Sequence, residues 1–517
     1  MHREIDLMET NLEEDEEERE QPPAEVRLSI ADVENTLAQA VTPAATPSHK
    51  QEPPPYVLRR VPQWVREDNE HAYAPKFICI GPYHSGGGAT GNGLRRVELK
   101  QRYANELLMD AAEPRDELTD ICKQKLTEME DHIRKFYGEG TQGMATDDLV
   151  EMMFLDGCFI IKHLYNYASV SDDEELHQST WAPAQIRNDL CLLENQVPFA
   201  VLVALFQHLA PRMLRLGDAD EAKKRRRLVD MALWYMLNGW WTLHAGTPPT
   251  AELQMAADDM PVDHLLHLLH EAHCAKHRVA QERHEEEDDR RWRHLAAAAG
   301  ACPFPLMRVL RCLCLCNWQR WPKTAPDSRE NIPSAAELAA LGISIRMVEP
   351  EHGGLLDVRF RKDRVTLEIP SLYVEQTSAP LLQNLIAYEQ QVGTDGSHYP
   401  DDYFTTYAFL MYNLVSTRED ITLLQELRIL HNNFGSDVKI IEYFKNLCMF
   451  NRRRGSTPLD DVLRDLRKCK RQKVYRDWAE MKNYINSPVK VLLLIISAMV
   501  ALSTVLQALV AVRPTHL

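Results

Sequence analysis

From about Tyr56 onward, apolar residues recur at steps of three and four along most of the chain. Such steps keep one face of an α-helix apolar. The spacing predicts helices over Leu94–Ala112, Asp116–Phe136, Thr146–Tyr167, Asp189–Leu209, Lys223–Leu243 and Val262–His284. Between Glu151 and Ile161 the apolar positions are nearly continuous, which marks a central, buried helix. Pro198 should break the fourth helix near Gln196, because its ring clashes with the preceding turn and it offers no N–H. A short extended piece, Lys76–Ile80, leads into a glycine loop, Gly86–Gly93.

The second half changes texture. Ser334 with Glu337 three residues on reads as a capping box. Short alternating runs at Ile343–Val348, Leu356–Phe360 and Val365–Ile369 predict a small β-element. Helices follow over Pro380–Gln391 and Tyr403–Leu447, with Gly435 as a helix stop and Ser436 or Asp437 as the next N-cap. The fold class is therefore mainly α: a multi-helix globular body with a small β-element in its second half, plus one C-terminal transmembrane helix. That last element is Val491–Val512, free of charge, Pro and Gly. At 1.5 Å per residue it spans about 33 Å, enough for a bilayer core. Its polar side chains are Ser497, Ser503, Thr504 and Gln507, and the hydroxyls are tolerable because each can bond back to its own helix.

Composition adds organisation rather than class. The net charge is −17, from 59 Lys+Arg and 76 Asp+Glu, and it is unevenly spread. The first 20 residues hold ten acids and two Arg, whereas residues 451–490 hold twelve Lys/Arg and five acids. The acidic total disfavours nucleic acid, which needs a basic face. The basic collar before the apolar run predicts a cytosolic body by the positive-inside rule, with no N-terminal signal peptide. The plasma membrane is the expected location, although a 22-residue span favours it only marginally over a thinner membrane. The chain thus divides into a disordered acidic leader (1–55), a helical body (56–450, with a sub-boundary near 282–330), a basic juxtamembrane segment (451–490) and the membrane helix (491–512). The eleven Cys follow no disulfide spacing; Cys312, Cys314 and Cys316 stand too close for zinc and read as small apolar residues.

Several segments in order resemble a known family. They are Ile80-Gly-Pro-Tyr-His84, Glu98-x-Lys100-x-x-Tyr103, Phe154-Leu-Asp-Gly-Cys-Phe159, the Asp189–Phe199 run, His264–His270, Ile332–Leu338, Leu367–Leu372, Asn384–Gln390 and the Asn433–Asp437 turn. Together they are similar to the plant family called domain of unknown function 247, or uncharacterised protein family 0481. The resemblance covers about residues 55–512. It implies a plant, mainly helical, membrane-anchored protein and transfers no catalytic residues. Some grass members look like pollen-side determinants of self-incompatibility, that is, recognition proteins.

Candidate chemistry is sparse. His84 with the glycines after it superficially resembles an oxyanion loop, but the Gly-x-Ser-x-Gly nucleophile elbow is missing. Neither a phosphate loop nor a dinucleotide fingerprint fits Gly86–Gly93. His264, His267, His270, His273 and His277 drift around their helix, which suits packing better than a metal. Glu194, Asn195, Gln196, Glu389 and Gln390 sit in apolar surroundings, where such groups cap broken helices or satisfy buried networks more often than they catalyse. The expected function is a non-catalytic, membrane-anchored recognition or signalling component. It carries no assigned catalytic, cofactor or metal residues; its partners are the membrane through Val491–Val512 and another protein. The alternative is an enzyme of unrecognised type with a site near the glycine loop and His84.

Overall fold

The predicted central helix is the hub of the first half. In the computed structural model, α4 (Thr146–Ala168) packs against α1 (Val97–Met109), α2 (Arg115–Glu128), α6 (Phe199–Leu209) and α7 (Glu221–Leu237). The structure describes residues 57–67, 69–85, 96–109, 114–168, 181–209, 220–237, 262–274, 277, 331–348, 354–362, 364–375, 379–391, 401–449, 453, 457–471, 496, 499, 500, 503 and 504. Gly157 on α4 lets α6 come close: a Cβ there would lie 2.3 Å from Leu205 Cδ1. α2 and α3 (Glu130–Tyr137) form two helices where the apolar spacing predicts one, with a kink at Met129. Neither Pro nor Gly stands at that kink, so no local signal marks it.

The prediction of one helix over Asp189–Leu209 is corrected. α5 (Trp181–Leu190) ends where that helix was to begin, and residues 191–198 form a bend before α6. Pro198 does end the bend, but the chain has already left the helix at Cys191. Residues 265–274 form a histidine-rich helix.

In the second half, α8 (Ala335–Ala340) starts with the predicted Ser334–Glu337 capping box. β1 (Ser344–Val348), β2 (Arg359–Arg361) and β3 (Thr366–Pro370) form a sheet in the order β1-β3-β2, parallel between β1 and β3 and antiparallel between β3 and β2. A second pair, β4 (Leu372–Val374) and β5 (Leu430–Asn432), runs parallel and was not predicted. Strand β5 also interrupts the helical region expected over Tyr403–Leu447, which is α10 (Tyr403–Leu414), α11 (Arg418–Glu426), β5 and α12 (Asp437–Met449). Gly435 (φ +73°) therefore turns the chain after a strand rather than ending a helix. α9 (Ala379–Glu389) and α13 (Pro458–Arg471) complete the described helices of this half; α10 packs against α9, α12 and α13, and β2 against α13.

The described residues fall within one compact unit, residues 54–517. The leader, the glycine loop, Cys312–Cys316 and the expected boundary at 282–330 lie outside the described residues. So does the predicted membrane span, apart from Ile496, Met499, Val500, Ser503 and Thr504, which are helical. Among the described residues no helix is long and apolar enough to cross a membrane.

Candidate functional site

Backbone groups that leave regular structure must find other partners. The 191–198 bend strands the last carbonyls of α5, and its own amides take them up. Asn195 Nδ2 donates to the Asp189 carbonyl at 2.9 Å, and Gln196 Nε2 to those of Leu190 and Leu192 at 2.8 and 2.7 Å. Facing the bend lies the irregular stretch before His84. Its N–H groups are collected by side chains from the helices and from the bend itself. Asp189 accepts from Lys76, Phe77 and Ile78 at 3.0, 2.6 and 2.8 Å, and Asn195 Oδ1 from Ile80 at 2.6 Å. Asp156 of α4 accepts from Gly81 at 2.7 Å and from Lys100 Nζ at 2.5 Å. Burial pushes the Asp189 pKa up, against the pull of those N–H groups.

Gly81 is the tight point. Its φ is +69°, and a Cβ would stand 2.9 Å from both the Gln196 carbonyl oxygen and Tyr137 Oη. Beyond it, Tyr83 Oη donates within reach of the Leu58 and Tyr137 carbonyls, at 2.5 and 2.8 Å.

Two sequence candidates meet at this seam. Glu194 Oε1 accepts from the Val61 N–H at 2.7 Å and from Arg66 Nη2. Its Oε2 lies 3.9 Å from His84 Nε2, and among the described residues neither of these shielded atoms has a hydrogen-bond partner. Burial, then Arg66 and Arg60, hold the His84 pKa down at about 4. Near neutral pH the contact is therefore a neutral imidazole beside a carboxylate, not an ion pair.

The other candidates form a separate knot. Glu389 Oε1 accepts from His270 Nε2 at 3.0 Å and from the Phe404 N–H at 2.8 Å; Oε2 accepts from the Thr405 N–H and hydroxyl, both at 2.7 Å. The carboxylate thus sits on the N-terminus of α10, where free N–H groups favour negative charge. Burial alone would lower the His270 pKa, but the neighbouring carboxylates of Glu271 and Glu389 hold it well above the usual imidazole range. Cys274 Sγ lies 3.7 Å from the same His270 nitrogen. Cys274, His270 and Glu389 have the composition of a cysteine-hydrolase triad, and the residue spacing alone did not single out Cys274. The geometry differs: thiol and carboxylate share Nε2, whereas a relay needs opposite ring nitrogens. Burial also pushes the Cys274 thiol up to about 11, so it stays protonated.

The remaining histidines pack. His264 and His267 lie against Tyr388, His273 against Phe404 and His277 against Tyr403. Among the described residues no group of His, Cys, Asp or Glu is placed to hold a metal.

An open pocket of about 300 Å³ adjoins the seam between residues 59–73, α9 and α12. Val61 and Leu193 belong to both: Val61 holds Glu194, and the Leu193 N–H is held by Asn384 at 2.8 Å. Apolar side chains such as Val65, Ile386 and Leu447 are joined there by Trp64, Tyr73, the cationic Arg59 and Arg60, and five carboxamides: Asn69, Gln383, Gln390, Gln391 and Asn446. Gln391 reads main chain already, taking the Arg59 N–H at 3.3 Å and giving its amide to the Arg59 carbonyl at 2.6 Å. Of these residues the spacing singled out Gln390 alone. The others carry no motif, because chain folding brings them together from three distant stretches.

The model of the family described as plant protein of unknown function, DUF247, matches residues 58–503. A UPF0481 protein of Arabidopsis thaliana is 28% identical over 402 residues, covering 75% of this chain and 71% of the relative. A putative UPF0481 protein of the same plant is 21% identical over 455 residues, covering 78% and 80%. No solved structure matches the chain.

Proposed function

From the premise that this chain belongs to the plant family of unknown function DUF247, we propose that it is a non-catalytic recognition component held at a membrane. The observation that carries recognition is the pocket beside the 191–198 bend. Two aromatic residues and five carboxamides over an apolar floor, with Arg59 and Arg60 in the lining, suit a hydrogen-bonding ligand such as an extended peptide segment of a partner protein, whose carbonyl or carboxylate groups the arginines can meet. Trp64 is 54% exposed at this pocket, as an anchor for a partner should be. The polar groups nearest to chemistry are otherwise engaged: Asp156, Asp189, Asn195 and Glu389 hold backbone N–H groups.

The membrane half of the reading rests on Val491–Val512 and its basic flank. At its described positions, Ile496, Met499 and Val500 are helical with exposed side chains, and Thr504 Oγ1 bonds back to the Val500 carbonyl at 3.0 Å. Exposed apolar side chains at these positions, and a hydroxyl satisfied within its own helix, suit lipid better than water. The body then lies in the cytosol against the plasma membrane. The finer form of the reading is pollen-side recognition in self-incompatibility, as some grass members of the family resemble.

The test is proximity labelling with the full chain in the tissue that expresses it, beside a Trp64→Ala, Gln390→Ala variant that melts like the wild type. One protein should be labelled reproducibly by the wild type and lost with the variant. Labelling that the variant leaves unchanged overturns the pocket. Expression confined to vegetative tissue overturns the self-incompatibility form.

A second reading, an enzyme with its site at His84, draws on the 3.9 Å approach of His84 Nε2 to Glu194 Oε2, two atoms with no hydrogen-bond partner among the described residues. It requires an activity that His84→Ala abolishes while the fold survives.

A further inference from the structure

The outward face of the three-stranded sheet is basic by construction. Register places Arg346 and Arg359 on either side of Glu368, and alternation turns all three away from Ile345, Leu367 and Phe360. Arg361 reaches the same Glu368 at 3.2 Å. Just past β2, Lys362 extends to Asp465 of α13 at 2.8 Å, and Lys468 approaches the same carboxylate at 3.2 Å.

The acids lie behind the bases. Arg359, Arg361 and Lys362 have side chains 49%, 51% and 63% exposed, whereas their partners Asp357, Glu368 and Asp465 are 7%, 26% and 13% exposed. A flat surface approaching this face meets positive charge first. The bases keep about half or more of their side chains in solvent, so they can meet a second anion from outside without releasing the acids behind them. The face is also placed by connectivity. β2 packs against α13, and α13 leads through residues 472–490 to the apolar run.

We propose that this sheet face, with Lys362 at its edge, docks on anionic lipid headgroups of the bilayer that Val491–Val512 enters. The body would thereby be held in one orientation on the membrane rather than hanging from a free tether. The proposal rests on the membrane-anchor reading above. Anionic headgroups are favoured over an acidic protein because the span already brings the bilayer within reach, so the bases meet it at high effective concentration.

The test uses the full chain in lipid nanodiscs of phosphatidylcholine alone or with phosphatidylserine. Amine labelling of Lys362 is read by mass spectrometry against Lys125, an exposed lysine of α2. Docking predicts a roughly fivefold or larger fall in Lys362 labelling with phosphatidylserine, from the added attraction of each basic group. Lys125 should not change. High salt should restore labelling. So should Arg346→Gln, Arg359→Gln, Arg361→Gln in one chain, checked by its melting temperature. If the chain enters both discs and Lys362 reacts equally in each, the docking face is wrong while the anchor stands. If the chain enters neither disc, the anchor reading falls and this proposal falls with it.

Discussion

Glu389 shows how a carboxylate can look catalytic and be structural. Donors converging on it include the His270 imidazole, two N–H groups at the start of α10 and the Thr405 hydroxyl. Glu389→Gln would turn an amide NH₂ toward those donors and leave the buried His270 charge with only Glu271, 3.5 Å from Nδ1, beside it. We expect a loss of about 3–5 kcal/mol in urea unfolding, the scale for breaking a buried pair. A loss below about 1 kcal/mol would show that the knot is dispensable. His84 makes a prediction in pH. Its folded pKa, about 4, lies below its ordinary value of 6.5, so protons bind the unfolded chain more readily. Its contribution is fully present above pH 6.5 and is lost as pH falls toward 4. The loss should reach up to about 3 kcal/mol. Burial also depresses His264, with the same sign. The measurement is therefore the difference in acid unfolding between wild type and His84→Gln; parallel curves from pH 6.5 to 4 would contradict it.

At the scale of elements, Gly81 and Gly143 separate backbone strain from crowding. Both have positive φ, +69° and +75°, but a Cβ at Gly143 meets nothing within 4 Å. Gly143→Ala should cost about 1–2 kcal/mol, the conformational cost alone. Gly81→Ala should cost about 1–3 kcal/mol more, since the Gln196 carbonyl and Tyr137 cannot both withdraw. Equal melting temperatures for the two variants would refute the crowding. The elements also divide by legibility. α1, α4, α8 and α9 follow from periodicity and capping because their burial is one-sided or nearly continuous along the helix. The early end of α5 does not. Residues 191–198 are apolar enough to continue a helix, and they leave it because Asn195 and Gln196 satisfy the stranded carbonyls while Asp189 and Asn195 hold the 76–80 stretch. β5 escapes notice for a similar reason: three residues pair with β4 from nearly sixty residues away.

For the whole molecule, the basic collar and the apolar run make a prediction about topology. With reporters at each end, protease should reach the N-terminal body in sealed membranes, and alkaline carbonate should leave the chain in the pellet. Deleting residues 491–512 should release it. Protection of the N-terminal reporter would overturn the cytosolic body. Periodicity, charge distribution and short ordered motifs determined the helical class, the family resemblance and the expected anchor, because each is a property of neighbours along the chain. Tertiary structure alone decided what the polar residues do. Glu194 meets His84 and Arg66, Glu389 meets His270, and five carboxamides share a pocket, because a buried polar group must take whichever partner folding brings to it.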